Sequence, residues 1–170
     1  MHIYLIGFMG CGKSTVGKKL AKLLNYEFLD LDTYIEETYQ LTIPFIFERY
    51  DEKAFRTLEQ SSLKKTLSKN NCVIATGGGT PCFYDNMDWM NDNGITIFIQ
   101  MHPKSLHQRL INARKKRPLV EQKSADEVFN YINKELKIRN TYYQQAKLTV
   151  KGENLQASEI AYQIKLLSAV

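Results

Sequence analysis

The chain has 170 residues, with 23 Lys and Arg against 18 Asp and Glu, for a formal net charge of +5. Its 44% hydrophobic and 24% charged residues match one globular domain with a core of its own, which excludes a disordered or fibrous chain. No apolar run is long enough to cross a bilayer, and the opening Met1 to Ile6 segment is too short for a secretory apolar stretch, so a soluble, cytoplasmic protein without a membrane partner is expected.

Apolar runs then alternate with helical patterns, as in an α/β fold with a parallel sheet. Ile3 to Ile6 predicts a first strand, and Val16, Leu20, Leu23 and Leu24 recur at helical spacing behind it. Tyr26 to Leu29 predicts a second strand, ending at Asp30 and Asp32. Thr33-x-x-Glu36 has the form of a capping box and should open a helix. Pro44 interrupts the next stretch, and Asp51 is placed to cap a longer helix reaching Lys69. Cys72 to Thr76 predicts a buried strand stopped by Gly77-Gly78-Gly79. The run Ile95 to Ile99 is the clearest strand, because every residue in it is β-branched or aromatic. Leu148 to Val150 predicts a last strand, and Ile160, Ile164 and Leu167 a closing helix. These elements make one doubly wound domain over residues 1–170, with ligands expected beyond the carboxyl ends of the strands.

Gly7-Phe8-Met9-Gly10-Cys11-Gly12-Lys13-Ser14 fits the phosphate-loop pattern G-x-x-x-x-G-K-[ST], directly after a predicted strand and opening a helix. Its glycines let backbone N–H groups surround a polyphosphate, and the helix N-terminus adds partial positive charge. Lys13 should reach the β- and γ-phosphates, and the Ser14 hydroxyl should ligate magnesium. Gly10, Cys11, Gly12 and Thr15 complete the expected ATP contacts. A glycine turn that merely joins strand to helix is the plain alternative. The loop alone leaves kinase, GTPase and ATPase open.

The other candidates are less specific. Asp30 and Asp32 suit magnesium support or orientation of an acceptor hydroxyl, and strand geometry at i, i+2 would put them on one side; capping of the next helix is the alternative. The glycine triplet admits close approach of a ligand, or is simply a turn before Pro81. Arg56, Glu59 and Arg139 could be solvated helical residues, although a guanidinium is the natural bidentate partner of a carboxylate. The run Arg114-Lys115-Lys116-Arg117 could form a lid over ATP or a solvated basic loop, and without interleaved aromatics it is a poor nucleic-acid platform. Cys11, Cys72 and Cys82 have no metal-ligand spacing, and His2, His102 and His107 no catalytic spacing.

Taken in order, Gly7 to Thr15, Phe28-Leu29-Asp30-Leu31-Asp32, Phe55-Arg56-x-x-Glu59 and Gly77-Gly78-Gly79 resemble the signatures of the shikimate kinase family. Arg117-Pro118-Leu119 and Arg139-Asn140-x-Tyr142 look like that family's lid and late substrate-binding segments, so the resemblance covers essentially the whole chain. It implies a three-layer sandwich of the P-loop nucleoside-monophosphate-kinase type, with a five-stranded parallel sheet in the order 2-3-1-4-5 and a mobile lid at 112–123. It also implies ATP-dependent phosphorylation of the shikimate 3-hydroxyl, on the route to chorismate and aromatic amino acids, by a monomer with Mg2+ and no nucleic-acid partner.

Carried over by position, Asp32 would hold the acceptor hydroxyl, either as its base or only to orient it, and Asp30 would support magnesium through water. Arg56 and Arg139 would clamp the carboxylate, with Glu59 orienting Arg56. Gly78 and Gly79 would contact substrate through their backbones, Phe47 and Phe55 would line the pocket, and Lys13 and Arg117 would serve the phosphates. Arg109 matches a position that stacks on adenine, whereas Lys151 to Gln156 departs from the arginine- and proline-containing adenine loop. A gluconate or nucleoside-monophosphate kinase is the nearest alternative enzyme. A GTP switch is disfavoured because Asn133-Lys134-Glu135-Leu136 lacks the Asp of N-K-x-D.

Overall fold

Strands β1 (His2–Ile6), β2 (Glu27–Asp30), β3 (Cys72–Ala75), β4 (Ile95–Gln100) and β5 (Leu148–Lys151) pair entirely in parallel, in the order β2-β3-β1-β4-β5. This arrangement comes from a computed structural model describing residues 1–113, 120 and 122–168. β1 lies at the centre, with Leu5 in register with Ala75 on one side and Ile97 on the other. Ile3, Tyr4, Leu5 and Ile6 are fully buried and β3 is buried throughout. That explains the continuous apolar runs in the sequence: a parallel sheet is covered on both faces.

The helices are α1 (Lys13–Leu24), α2 (Leu31–Tyr39), α3 (Ile43–Arg49), α4 (Glu52–Lys65), α5 (Asn86–Asn93), α6 (Pro103–Ile111), α7 (Ala125–Tyr143) and α8 (Ala157–Ser168). On α1 the buried positions are Lys13, Val16, Gly17, Leu20 and Ala21, the i, i+3, i+4, i+7, i+8 stripe of a helix facing a sheet. Leu23 falls off that stripe and is 59% exposed, contrary to the sequence expectation. On α8, Ile160 and Ile164 are buried as expected, but Leu167 in the final turn is at the surface. Among the described residues no helix is long and apolar enough to cross a membrane.

Two local expectations are corrected around β2. The helix that follows opens at Leu31, not at Thr33, because Asp30 is the N-cap and accepts from the Thr33 N–H at 3.5 Å. Glu36 forms no capping box; its carboxylate accepts from the Ile43 N–H at 2.9 Å and ties α2 to the start of α3. Pro44 is accommodated in the first turn of α3, where a missing N–H leaves no bond unmade, behind the N-cap Thr42. Asp51 caps α4 through a 2.7 Å bond from the Ala54 N–H, and a 3-10 turn over Thr66–Ser68 continues it to the expected end. Ser124 and Glu127 make the reciprocal capping box that the sequence reading did not single out, and α7 runs from it for 19 residues.

Candidate active site

The phosphate loop sits between the end of β1 and the start of α1. Gly7, Gly10 and Gly12 have φ of 140°, 83° and 100°, a region L side chains rarely adopt, which is why glycine recurs there. Lys13 is buried and arches over the loop, its Nζ donating to the carbonyls of Gly7 at 2.7 Å and Phe8 at 3.0 Å. The Ser14 hydroxyl donates to the Asp30 carboxylate at 2.6 Å. Ser14 and Asp30 thus bring hard oxygen ligands together beside the loop, the chemistry that suits Mg2+. Among the described residues no three His, Cys, Asp or Glu side chains could enclose a metal by themselves. That donor set fits an ion that keeps most of its waters and takes few protein ligands.

Arg109 projects from α6 across the loop, its Nη1 3.4 Å from the Gly10 and Cys11 carbonyl oxygens. Thr15 occupies the first turn of α1 and is exposed. Cys11 is buried, with its Sγ 3.8 Å from the Lys13 Nζ. The segment after β5 is fixed to the end of β4 by the Gly152 N–H donating to the Gln100 carbonyl at 2.7 Å. Glu153 accepts the His102 N–H there at 2.9 Å. That bond holds the Glu153 carboxyl below its usual range, with a smaller contribution from Arg109.

The acceptor side is assembled from four separate segments around the triplet after β3. Asp32 does not continue a strand beside Asp30 as the spacing suggested; it lies in the first turn of α2, because the helix opens at Leu31. A methyl group built on Gly77 would lie 3.1 Å from Asp32 Oδ1, 3.0 Å from Glu59 Oε1 and 3.0 Å from Thr80 Oγ1. One built on Gly78 would meet Arg139 Nη1 at 3.3 Å and the Met9 nitrogen at 3.4 Å, and one on Gly79 would meet Arg56 Nη2 at 2.7 Å. None of the triplet has φ in the left-handed region. Glycine is needed there because charged side chains and the phosphate loop press against the backbone.

Arg56 lies on α4, its side chain 11% exposed, donating to Glu59 Oε2 at 2.8 Å and to Glu52 Oε1 at 3.1 Å. Its guanidinium also lies over the Phe83 ring at 4.0 Å. Glu59 is buried, and its second oxygen accepts from the Thr80 hydroxyl at 2.6 Å, so both oxygens are satisfied. Arg139 lies on α7, 12% exposed, bonded to Glu135 at 2.6 Å and packed over Phe8 at 5.3 Å. Burial works against the Arg139 charge, and Tyr143, Glu135 and Tyr131 more than restore it. Phe55 is buried and its ring centroid is 4.7 Å from that of Phe47, which is 40% exposed. Burial pushes the Cys82 thiol up to about 11, against the pull of Arg139 and Arg56, so it stays neutral.

The structure therefore brings Lys13, Ser14 and Asp30 together, and gathers Asp32, Arg56, Glu59, Gly78, Gly79 and Arg139 around the triplet. The two groups adjoin at Gly78, where a Cβ would fall within van der Waals reach of the Met9 nitrogen. Arg117 lies outside the described residues, as do 114–119 and 121 of the expected lid. The sequence reading missed Thr80, Glu135 and the role of Tyr143, whose hydroxyl donates to the Gly78 carbonyl at 2.5 Å. The i, i+4, i+8 spacing of Glu135, Arg139 and Tyr143 was the available signal.

A family model described as shikimate kinase matches residues 9–167. The shikimate kinase of Bacteroides thetaiotaomicron is 42% identical over 156 residues, 92% of this chain and 89% of the relative. A crystal structure of the shikimate kinase from the same organism superposes with a TM-score of 0.92 at 39% identity, covering 100% of this chain and 99% of the other. The shikimate kinase of Acinetobacter baumannii, solved in complex with shikimate, gives a TM-score of 0.83 at 36% identity, with 99% and 92% covered. The sheet order is that of the nucleoside-monophosphate-kinase type, and together with the ordered motifs these matches lead to one conclusion: the chain belongs to the shikimate kinase family.

Proposed function

We propose that the protein transfers the γ-phosphoryl group of ATP to the 3-hydroxyl of shikimate, giving shikimate 3-phosphate and ADP for chorismate and aromatic amino-acid synthesis. The observation that carries this reading is the convergence of two largely buried arginines on a glycine triplet that also touches the phosphate loop. A ring acid with several hydroxyls matches fixed guanidinium groups, one carboxylate and exposed backbone. Arg56 and Arg139 bind the substrate carboxylate, Glu59 holds Arg56, and Phe47 and Phe55 cover the ring. Gly78 and Gly79 bring their backbones to the substrate.

In the transfer, the 3-hydroxyl oxygen attacks Pγ, the bond from Pγ to the bridging oxygen of ADP breaks, and the hydroxyl proton passes to Asp32. Such a loose, in-line transfer asks the protein mainly for positioning and charge neutralisation. Lys13 leaves its loop carbonyls to meet the β- and γ-phosphates, and the N–H groups of Gly10, Cys11, Gly12, Lys13, Ser14 and Thr15 receive phosphate oxygens. Arg109 lies along the adenine, and Arg117 serves the transferring group from the lid. Magnesium, held directly by Ser14 and through water by Asp30, would neutralise phosphate charge. We read the protein as a cytoplasmic monomer acting on small molecules, without a nucleic-acid partner.

ADP formation measured with shikimate, gluconate and AMP as acceptors tests the assignment. Turnover with shikimate alone is expected; stimulation by gluconate or AMP but not by shikimate would refute it.

A further inference from the structure

Tyr143 ends α7 and is fully buried. Its ring packs against Phe98 of β4, centroids 5.0 Å apart and the planes tilted by 34°, so the phenol has little freedom to swing. Its hydroxyl reaches out of the core towards the glycine triplet and donates to the Gly78 carbonyl. The Arg139 guanidinium lies against the same glycine, its Nη1 3.3 Å from a methyl group built on Gly78, and its charge acts on the Tyr143 phenol. A phenol has one proton, and Tyr143 gives it to the Gly78 carbonyl, which leaves its oxygen lone pairs to the nearby, donor-only guanidinium of Arg139. Burial pushes the phenol far above its ordinary range, so that proton stays in place at any working pH.

We propose that Tyr143 is a positioning residue that locks Arg139 and the Gly78–Gly79 peptide into one frame and so sets the affinity for the acceptor. The peptide linking Gly78 to Gly79 is planar and trans, so fixing the Gly78 carbonyl also fixes the Gly79 N–H on the opposite side. The Gly77 and Gly79 carbonyls accept from the Thr80 and Cys82 N–H groups at 3.2 and 2.9 Å, and the Tyr143 hydroxyl holds the Gly78 carbonyl between them. One hydroxyl thus couples a charged arm of the carboxylate clamp to backbone expected to meet the substrate. Glu135 holds Arg139 from its other side along α7, while the Tyr143 hydroxyl holds the Gly78 carbonyl that Arg139 lies against. This inference rests on shikimate being the acceptor.

Tyr143→Phe keeps the ring and its packing against Phe98 and removes only the hydroxyl. The expected result is a rise of about tenfold in KM for shikimate, with KM for ATP unchanged. A role in packing alone would leave that split absent. In a double-mutant cycle with Arg139→Lys, the two effects on shikimate KM should combine to less than their product, because both act through the same frame. Should Tyr143→Phe fail to fold, Phe98→Leu keeps the hydroxyl while loosening the ring, and shikimate KM alone should rise several-fold. Unchanged shikimate KM in whichever variant folds, or a fully multiplicative cycle, would overturn the proposal. If the wild-type protein does not turn over shikimate, the functional reading fails instead, so the two failures are told apart by the unmutated enzyme.

Discussion

The phosphate loop and the acceptor pocket adjoin where Gly78 leaves no room for a Cβ beside Met9 without close packing, yet they are made on opposite plans. The donor cradle is backbone bent by glycines at positive φ, closed by a lysine, and nearly all of it is contiguous from Gly7 to Ser14. The acceptor pocket is side chains held in pairs, Arg56 with Glu59 and Arg139 with Glu135, brought from α4 and α7 to a triplet whose glycines need no unusual φ. A polyphosphate is the same in every enzyme that uses it, so one loop serves. An acceptor is recognised by its own pattern of charge and hydroxyls, which requires groups from distant parts of the chain.

Removing one group from each half should give the largest and most informative losses. Asp32→Asn is expected to lower kcat by about 10²- to 10⁴-fold while ATP still binds, measurable by turnover and nucleotide titration. Lys13→Ala should lower kcat by about 10²- to 10³-fold while shikimate still binds. Loss of both ligands in either variant would mean that the halves are not separate.

Next in size, Arg56→Ala and Arg139→Ala should each raise shikimate KM by about 10- to 100-fold with ATP KM unaltered, since a charged hydrogen bond is lost in ground and transition states alike. They should differ in stability. Glu59 is 1% exposed and Glu135 23%, so stranding Glu59 should lower the melting temperature more. Equal melting temperatures would contradict that reading of the pairs.

The glycines separate the halves differently. Gly7→Ala meets a backbone φ of 140° and the Ile99 carbonyl at 2.8 Å, so ATP affinity should suffer. Gly79→Ala meets Arg56 at 2.7 Å, and because that guanidinium is held by Glu52, Glu59 and Phe83, shikimate KM should rise several-fold with ATP KM spared. The smallest effect is expected of Thr80→Val, which leaves one oxygen of Glu59 without its 2.6 Å donor. Shikimate KM should rise about fivefold, by loosening of Arg56 through Glu59. No change in initial-rate kinetics would remove Thr80 from the pocket's support.

The same contrast explains what the sequence revealed. All five strands and the donor loop were legible because their determinants are local: apolar runs for buried parallel strands, and a motif whose spacing is its mechanism. Asp32 was singled out, but for a geometric reason that does not hold, since Asp30 ends the strand and caps α2. Arg56 and Glu59 were legible as an i, i+3 pair, and Arg139 only through its resemblance to a family motif. Tyr143 and Thr80 were not assigned. A buried hydroxyl is chosen by partners 65 and 21 positions away, and nothing in the local pattern marks it. The neighbouring Tyr142 was taken from the motif, whereas Tyr143 bonds the triplet.

The central claim is that both arginines close on one carboxylate while Asp32 faces the hydroxyl nearest the phosphate loop. A crystal structure of the protein with shikimate and ADP tests it most directly. The account predicts the carboxylate between Arg56 and Arg139, with the 3-hydroxyl in hydrogen-bond reach of Asp32. A ring acid bound with its carboxylate away from both arginines, or its hydroxyls turned from Asp32, would contradict it.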